Sequence, residues 1–591
     1  MKKSTLLIYL TFIAVACSGP SKKGEAPSDN KAFHKMLDNY WDERMKLFPL
    51  EATTYGDNRY NDLLPNDGSQ AYIAEAKAFF NKYNNECNGF DREQLNENDK
   101  ISYDIFHREM SMSLEGFSYH TEYLPINQFW SLPLTFPQLG SGSGNQPFAT
   151  VKDYDNFLSR INGFTVWADT AVANMRTGIA KGYILPKALV VKIIPQMTAI
   201  ANIDASKSIF YGPITKFPND FNEADKKRLT EAYTKAIVEQ INPTYQKLGD
   251  FFKNEYLPKA RTNSGIDAIP QGKDLYQYLI RYWTTTQKTP QEVYDLGLEQ
   301  VAAIRSDMEK VKAEVKFNGD LKAFFHFANN DKQFMPFKTP KEIIDAFWAI
   351  KAKEDPQLKK LFNHTPKMKF EIRQTEAFRA ASASPEYNQG SPDGKRPGIF
   401  YVPILDATKF NTVGMETLFL HEAIPGHHYQ NSLQIENTTL PTFRRFAWYG
   451  AYGEGWALYA ESLGKELGLF TDPYQYLGHL SDAMLRAIRL VVDAGLHTQG
   501  WSREKAIQYM MENMRISEAE ATSEIERYMA IPGQALSYKI GQLKIRELRN
   551  KYENQLGNKF NIAEFHNQVL NEGCLPLDVL ESKMDAWAAK Q

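Results

Sequence analysis

The chain has 591 residues, 43% of them apolar and 24% charged, an ordinary globular composition with ample length for a buried core. Its 69 basic and 71 acidic residues leave a net charge of −2, so nothing electrostatic points to nucleic acid as a partner. Length alone suggests several domains, but helical enzymes of this size are often one mass with two lobes.

The N-terminus reads as an address. Met1-Lys2-Lys3 is a basic region, and Leu6 to Val15 is an apolar run too short to span a bilayer. Ala14-Val15-Ala16-Cys17 resembles a lipoprotein cleavage box, which would make Cys17 the lipidated first residue of the mature protein. The rival reading is an ordinary signal peptide cut after Ala16. Ser18 to Gly24 reads as a flexible tether, and several acyl chains on one Cys anchor stably where a single chain does not. Ser18, rather than an acidic residue, is compatible with the outer membrane. The expected layout is residues 1–17 signal and lipidated Cys, 18–31 tether, 32–280 an N-terminal helical lobe, and 281–591 a C-terminal helical lobe that carries the site. Cys87 and Cys574 are two cysteines and no disulfide framework; they would pair only if the ends of the fold meet, and buried free thiols are the expectation.

From Ala32 to about Phe117 the pattern is helical and amphipathic, with loops at Gly56-Asp57-Asn58 and Asn66-Asp67-Gly68. Tyr123 to Phe148 is rich in Pro and Gly, has no helix period and reads as a long ordered loop, for packing or for substrate. A helix resumes at Thr150, with Tyr154, Phe157, Leu158 and Ile161 on one face. Gly182 to Pro195 reads as a loop leading to an apolar segment. Thr289-Pro290-Gln291-Glu292 predicts a helix start with an N-cap, Pro in the first turn and a capping box. Phe370 to Arg373 and Gly398 to Val402 are β-rich, bounded by turn residues, and predict a small hairpin or sheet.

Leu420 to Gln430 follows directly and holds His421, Glu422, His427 and His428. Neutral imidazoles bind Zn²⁺, and an adjacent Glu can take a proton from water. The usual spacing, His-Glu-x-x-His, sets two His one turn apart on a helix face. Here Pro425 occupies the second His position. On an unbroken helix His428 would share the face of His421, but roughly 10 Å along the axis. His427 would ligate beside His421 only if the helix breaks between them, which Pro425-Gly426 permits. His427 is favoured over His428, which stays open as the alternate.

Gly453-Glu454 opens another helical pattern, 33 residues beyond His421 (454 − 421), enough for one helix, a turn and an antiparallel return. Glu454 is then a candidate third ligand, or a first-turn Glu that favours the helix dipole. Near the C-terminus Arg527, Tyr528, Tyr538 and Lys539 flank Ile531-Pro532-Gly533. A Tyr or Arg beside a polarised carbonyl would stabilise an oxyanion.

Together His421-Glu422-Ala-Ile-Pro-Gly-His427-His428-Tyr-Gln, Gly453-Glu454-Gly-Trp-Ala-Leu-Tyr-Ala-Glu461 and Arg527-Tyr-Met-Ala-Ile-Pro-Gly-Gln-Ala-Leu-Ser-Tyr538-Lys-Ile-Gly541 resemble the bacterial domain-of-unknown-function 885 family. Asp393 to Tyr401 is similar to it too, and weaker likeness runs from about Phe33 to the end. That family looks like an all-helical relative of the zinc peptidases that include thimet oligopeptidase and angiotensin-converting enzyme. The resemblance implies a mostly α, two-lobed enzyme with one Zn per chain. His421, His427 and Glu454 would be the ligands, Glu422 the base and Tyr538 the oxyanion donor, with Arg527 a further candidate. It also implies an edge strand beside the metal helix that pairs with substrate, here Ile399, Phe400 and Tyr401. The expected function is a lipid-anchored, periplasm-facing metallopeptidase on short peptides, a carboxypeptidase or an oligopeptidase. Its rivals are a zinc amidase or esterase on non-peptide amides, and an inactive peptide-binding lipoprotein.

Overall fold

The computed structural model describes residues 30–376, 380, 383–391, 394–514 and 516–591. The signal region, Cys17, nearly all of the tether and Asp393 lie outside the described residues. The fold is mostly α with one three-stranded sheet, as expected. Among the described residues no helix is long and apolar enough to cross a membrane.

Local chemistry sets the helix starts. The Thr289 side chain accepts from the Glu292 N–H at 3.2 Å while the Glu292 carboxylate accepts from the Thr289 N–H at 2.7 Å, and the helix Pro290–Glu314 follows. Thr150 and Asp153 form the same reciprocal box ahead of Val151–Lys181. Two stretches read as loops are helical. Leu132–Gly140 is a helix with Pro133 in its first turn, held because Phe136 stacks on Phe164 at 4.5 Å. Lys187–Ala201 is a helix that tolerates Pro195, with Leu189, Val190 and Ile193 buried. In both, tertiary burial overrides the poor local propensity of proline.

The cores do not divide at residue 280. That boundary falls inside the helix Gly272–Thr284. Phe33, Tyr83 and Phe106 from the first helices share one core with Trp456, Leu548 and Leu580 from the last ones. A separate core gathers residues between Ile126 and Tyr256, around Phe157 and Tyr245. Cys87 and Cys574 are both buried free thiols, and burial raises each to about 12.

The strands are β1 Phe370–Gln374, β2 Glu386–Asn388 and β3 Gly398–Val402, in spatial order β1-β3-β2. β3 pairs parallel to β1 and antiparallel to β2. It is therefore the central strand, with its main-chain groups engaged on both sides. Ile399, Phe400 and Tyr401 are not an edge that a peptide can extend. The edge strand near the histidines is β2.

The long helix Pro473–Thr498 runs beneath the site and carries His497 near its end. His497 Nδ1 accepts from the Ile266 N–H at 3.0 Å, and Nε2 faces the Tyr528 carbonyl at 3.1 Å. A carbonyl only accepts, so the proton sits on Nε2 and the ring is neutral. Burial lowers its pKa to about 3. The unfolded chain therefore takes up a proton below about pH 6.5 that the folded chain refuses. The stability this residue contributes is full above that pH and is lost as pH falls toward 3, by about 2 kcal/mol at pH 5. The drop in thermal unfolding midpoint between pH 7 and pH 5 is expected to shrink in His497→Asn. An unchanged drop would assign it to another group.

Candidate metal centre

The helix Met415–Glu422 ends at the predicted break. Its apolar face places Phe419 and Leu420 in the main core, so His421 and Glu422 emerge at its last turn. Ile424-Pro425 is a cis peptide, and the chain restarts as a second helix, His427–Glu436. Gly426 packs so closely that a Cβ there would collide with the carbonyl oxygens of His421 and Leu420. Only glycine fits this reversal. The reversal brings His427 beside His421, with ring centroids 4.7 Å apart and planes at 85°.

A third helix, Gly450–Glu461, returns past the break. Trp456 Nε1–H donates to the Pro425 carbonyl at 2.8 Å and ties it to the turn. Glu454 Oε2 then lies 3.6 Å from His421 Nε2 and 3.5 Å from His427 Nε2. These three donor atoms all lie within 4.8 Å of one another.

His428 points elsewhere. Its ring packs on Phe370 at 4.7 Å, and Nδ1 is 3.1 Å from the Tyr387 hydroxyl. Burial lowers its pKa to about 4, so it is a neutral packing residue that clamps the second histidine helix to β1 and β2. Of the two candidates for the second ligand, the structure brings His427 to the cluster.

Glu461 was not singled out from sequence. It sits seven residues after Glu454 (461 − 454), two turns along on the same face. Its Oε1 is 2.7 Å from His421 Nδ1, and its Oε2 is 3.7 Å from His479 Nδ1. Burial alone would raise the Glu461 carboxyl, but the bonds to His421 and His479 bring it down to about 2. An ionised Glu461 fixes the His421 proton on Nδ1 and aims Nε2 at Glu454. The helical spacing from Glu454 was the available signal for this partner.

Glu422 is 8% exposed and borders a cavity of about 840 Å³ that also reaches His421, His427 and Glu454. Burial raises its pKa, against the pull of His421 and His427, and the Tyr387 main chain hydrogen-bonds it. Tyr538 and Arg527 line the same cavity. Arg489 lies over the Tyr538 ring with its guanidinium carbon 4.7 Å from the centroid. Arg527 donates to Gln534 at 2.7 Å and stacks on Phe129, so the supposed loop before Leu132 does reach the cavity rim. Ile399 and Phe400 are buried within the sheet.

The family described as "Bacterial protein of unknown function (DUF885)" matches residues 49–584. The chain belongs to that family. A Colwellia psychrerythraea structure described as a "putative lipoprotein" is 27% identical, with a TM-score of 0.83, over 95% of this chain and 99% of its own. A Shewanella oneidensis structure, described as a "putative lipoprotein of unknown function", shares the fold at 19% identity and a TM-score of 0.75, over 93% of this chain and 99% of its own. No curated protein matches the chain.

The donor set fits a zinc ion. Two imidazole nitrogens and one carboxylate oxygen are a common Zn²⁺ set, and ligands about 2.0–2.1 Å from a tetrahedral ion stand roughly 3.3 Å apart. The 3.5 and 3.6 Å separations are close to that and longer than good hydrogen bonds. Glu454 Oε2, at the convergence point, is buried with no hydrogen-bond partner. Glu422, Glu454 and Glu461 around two imidazoles also favour a cation. Against the effect of burial, the neighbouring Glu454 and Glu461 carboxylates raise the His421 pKa well above its ordinary value.

His421→Ala, His427→Ala and Glu454→Ala are each expected to abolish zinc retention after dialysis, whereas His428→Ala retains it. Metal analysis of the purified variants checks this. Loss in His428→Ala with retention in His427→Ala would reverse the assignment.

Proposed function

We propose that the cavity is the active site of a zinc-dependent peptidase acting on short peptides, as a carboxypeptidase or an oligopeptidase. The observation that carries this reading is the position of Glu422. It is a buried carboxyl beside, but outside, the His421/His427/Glu454 set, and it faces the same cavity. A pure binding protein has no use for such a base. The likeness of the sequence motifs to those of the zinc peptidases that include thimet oligopeptidase and angiotensin-converting enzyme supports the same reading.

His421 Nε2, His427 Nε2 and Glu454 Oε2 would hold the zinc, which when bound supplies Lewis acidity toward a carbonyl oxygen and lowers the pKa of water at the site to about 7. Glu422 accepts the proton of the attacking water and delivers it to the leaving amine nitrogen. Burial raises its carboxyl, which suits a group that serves first as base and then as acid near neutral pH. Tyr538 donates its O–H to the developing oxyanion. Glu461 keeps the His421 ring in one tautomer and one orientation. The edge strand β2, whose Tyr387 main chain bonds Glu422, lies beside the base and is suited to hold an extended peptide by its remaining main-chain groups.

Glu422→Gln keeps the shape and removes the base. Its zinc content is expected to be unchanged while peptide turnover falls roughly 10²- to 10⁴-fold. Tyr538→Phe is expected to lower kcat by a smaller factor with zinc retained. Zinc content and turnover measured on the same preparation decide the matter. Wild-type turnover in Glu422→Gln would refute this mechanism, and loss of zinc together with activity would make Glu422 a ligand.

We further propose that the protein is anchored by lipid at Cys17 in the cell envelope, facing the periplasm, with the outer membrane favoured by Ser18. The Ala14-Val15-Ala16-Cys17 box and the two relatives described as lipoproteins support this. The mature protein is expected to begin at an acylated Cys17 and to partition into detergent, and Cys17→Ser to block processing or release it. An unlipidated mature N-terminus at another residue would overturn the anchor.

A further inference from the structure

We infer that the end of the cavity lined by Arg486, Arg489 and Arg527 is a carboxylate-binding subsite, so that the substrate is a peptide bearing a free carboxylate near the scissile bond. This inference rests on the peptidase reading and deepens it.

The long helix Pro473–Thr498 builds one wall of the cavity. Asp482, Arg486 and Arg489 fall at i, i+4 and i+7, one stripe of a helix face. Arg486 Nη1 donates to Asp482 Oδ1 at 2.9 Å. Arg489 donates from Nε to the Tyr528 hydroxyl at 3.0 Å and from Nη2 to Glu524 Oε2 at 3.0 Å. Arg527 reaches the other Glu524 oxygen at 3.4 Å. Three guanidiniums thus share Asp482 and Glu524, with Glu461 on the histidine side of Arg486.

The donors are not used up. Among the described residues neither Arg486 Nη2 nor Arg489 Nη1 makes a hydrogen bond. Arg486 Nε and Arg527 Nε are buried without a partner. The Arg489 side chain is only 8% exposed and is held from both sides, by Glu524 and Tyr528 and by the Tyr538 ring. A guanidinium fixed this way has lost its rotamer freedom before any ligand arrives, and its planar fork matches a carboxylate. Tyr538 connects the two ends, because the ring that Arg489 covers belongs to the proposed oxyanion donor. A carboxylate on Arg489 would therefore lie close to the peptide bond being cut, and would fix the register of the substrate against Glu422.

The carboxylate has two sources, the C-terminus of the peptide or an Asp or Glu side chain. Calorimetric binding to the zinc-loaded mature Glu422→Gln protein separates them without requiring turnover. The probes are tetra-alanine as the free acid, tetra-alanine amide, and Ala-Ala-Glu-Ala amide. At least one carboxylate peptide is expected to bind roughly 10- to 100-fold tighter than the neutral amide. A preference for the free acid assigns the main-chain terminus, and a preference for the Glu amide assigns an acidic side chain. Arg489→Gln, added to the same protein, is expected to remove the preference while zinc stays bound. Arg486→Gln, which breaks only the bond to Asp482, is expected to weaken it and serves if Arg489→Gln does not fold. Equal binding of all three peptides, or a full preference retained in the folded arginine variants, overturns the inference. Hydrolysis of all three peptides at equal rates by the zinc-loaded protein with Glu422 intact would overturn it too, while leaving the peptidase reading intact.

Discussion

The site depends on one steric fact, the absence of a side chain at Gly426. The two histidine helices meet where the backbone of Gly426 lies against the carbonyls of Leu420 and His421. A single methyl group there would push the second helix away and His427 with it. An unbroken helix would instead have pointed His428 at the face of His421 from two turns away. The break converts a spacing that is wrong for helical ligation into two adjacent imidazoles.

A second close approach completes the cavity. Where Gly450–Glu461 crosses the helix Leu536–Leu556, Gly455 and Gly541 face each other, and a Cβ on either would strike the opposing backbone. This contact draws Tyr538 and Glu454 to the same cavity from segments far apart in sequence. The ring of Tyr538 then meets Arg489, so the helix that carries the arginines is locked into the same assembly. The proposed metal ligands, base and oxyanion donor and the arginines come from six different helices, and their relative positions rest on packing.

Charge follows the same division. At the histidine end Glu422, Glu454 and Glu461 lie among imidazoles, and at the other end Arg486, Arg489 and Arg527 gather around Asp482 and Glu524. Glu461 is the hinge of this arrangement. It is ionised although 1% exposed, because His421 and His479 lie on its two oxygens and Arg486 stands nearby. A buried carboxylate is tolerated only with such partners. Its burial makes its hold on His421 strong, since little water competes.

Much of this was legible in the residues alone. The His-Glu pair, the Pro-Gly that permits a break, the returning Glu454 and the capping box at Thr289 are local signals, and each element formed where its residues required. Membership of the family was likewise visible in three short motifs and is carried by residues 49–584. Tertiary structure alone decided the rest. His427 and His428 are adjacent and chemically identical, and only the direction of the turn sends one to Glu454 and the other to Tyr387. Two β-rich runs could not announce that β2, a three-residue strand, would cap β3 and make it central. The helices around Pro133 and Pro195 form against local propensity because their apolar faces are buried. The partnership of Glu461 with His421, and of Arg489 with Tyr538, joins segments dozens of residues apart. Spacing along a chain fixes which side chains share a helix face, but the packing of one helix on another determines which of those faces meet.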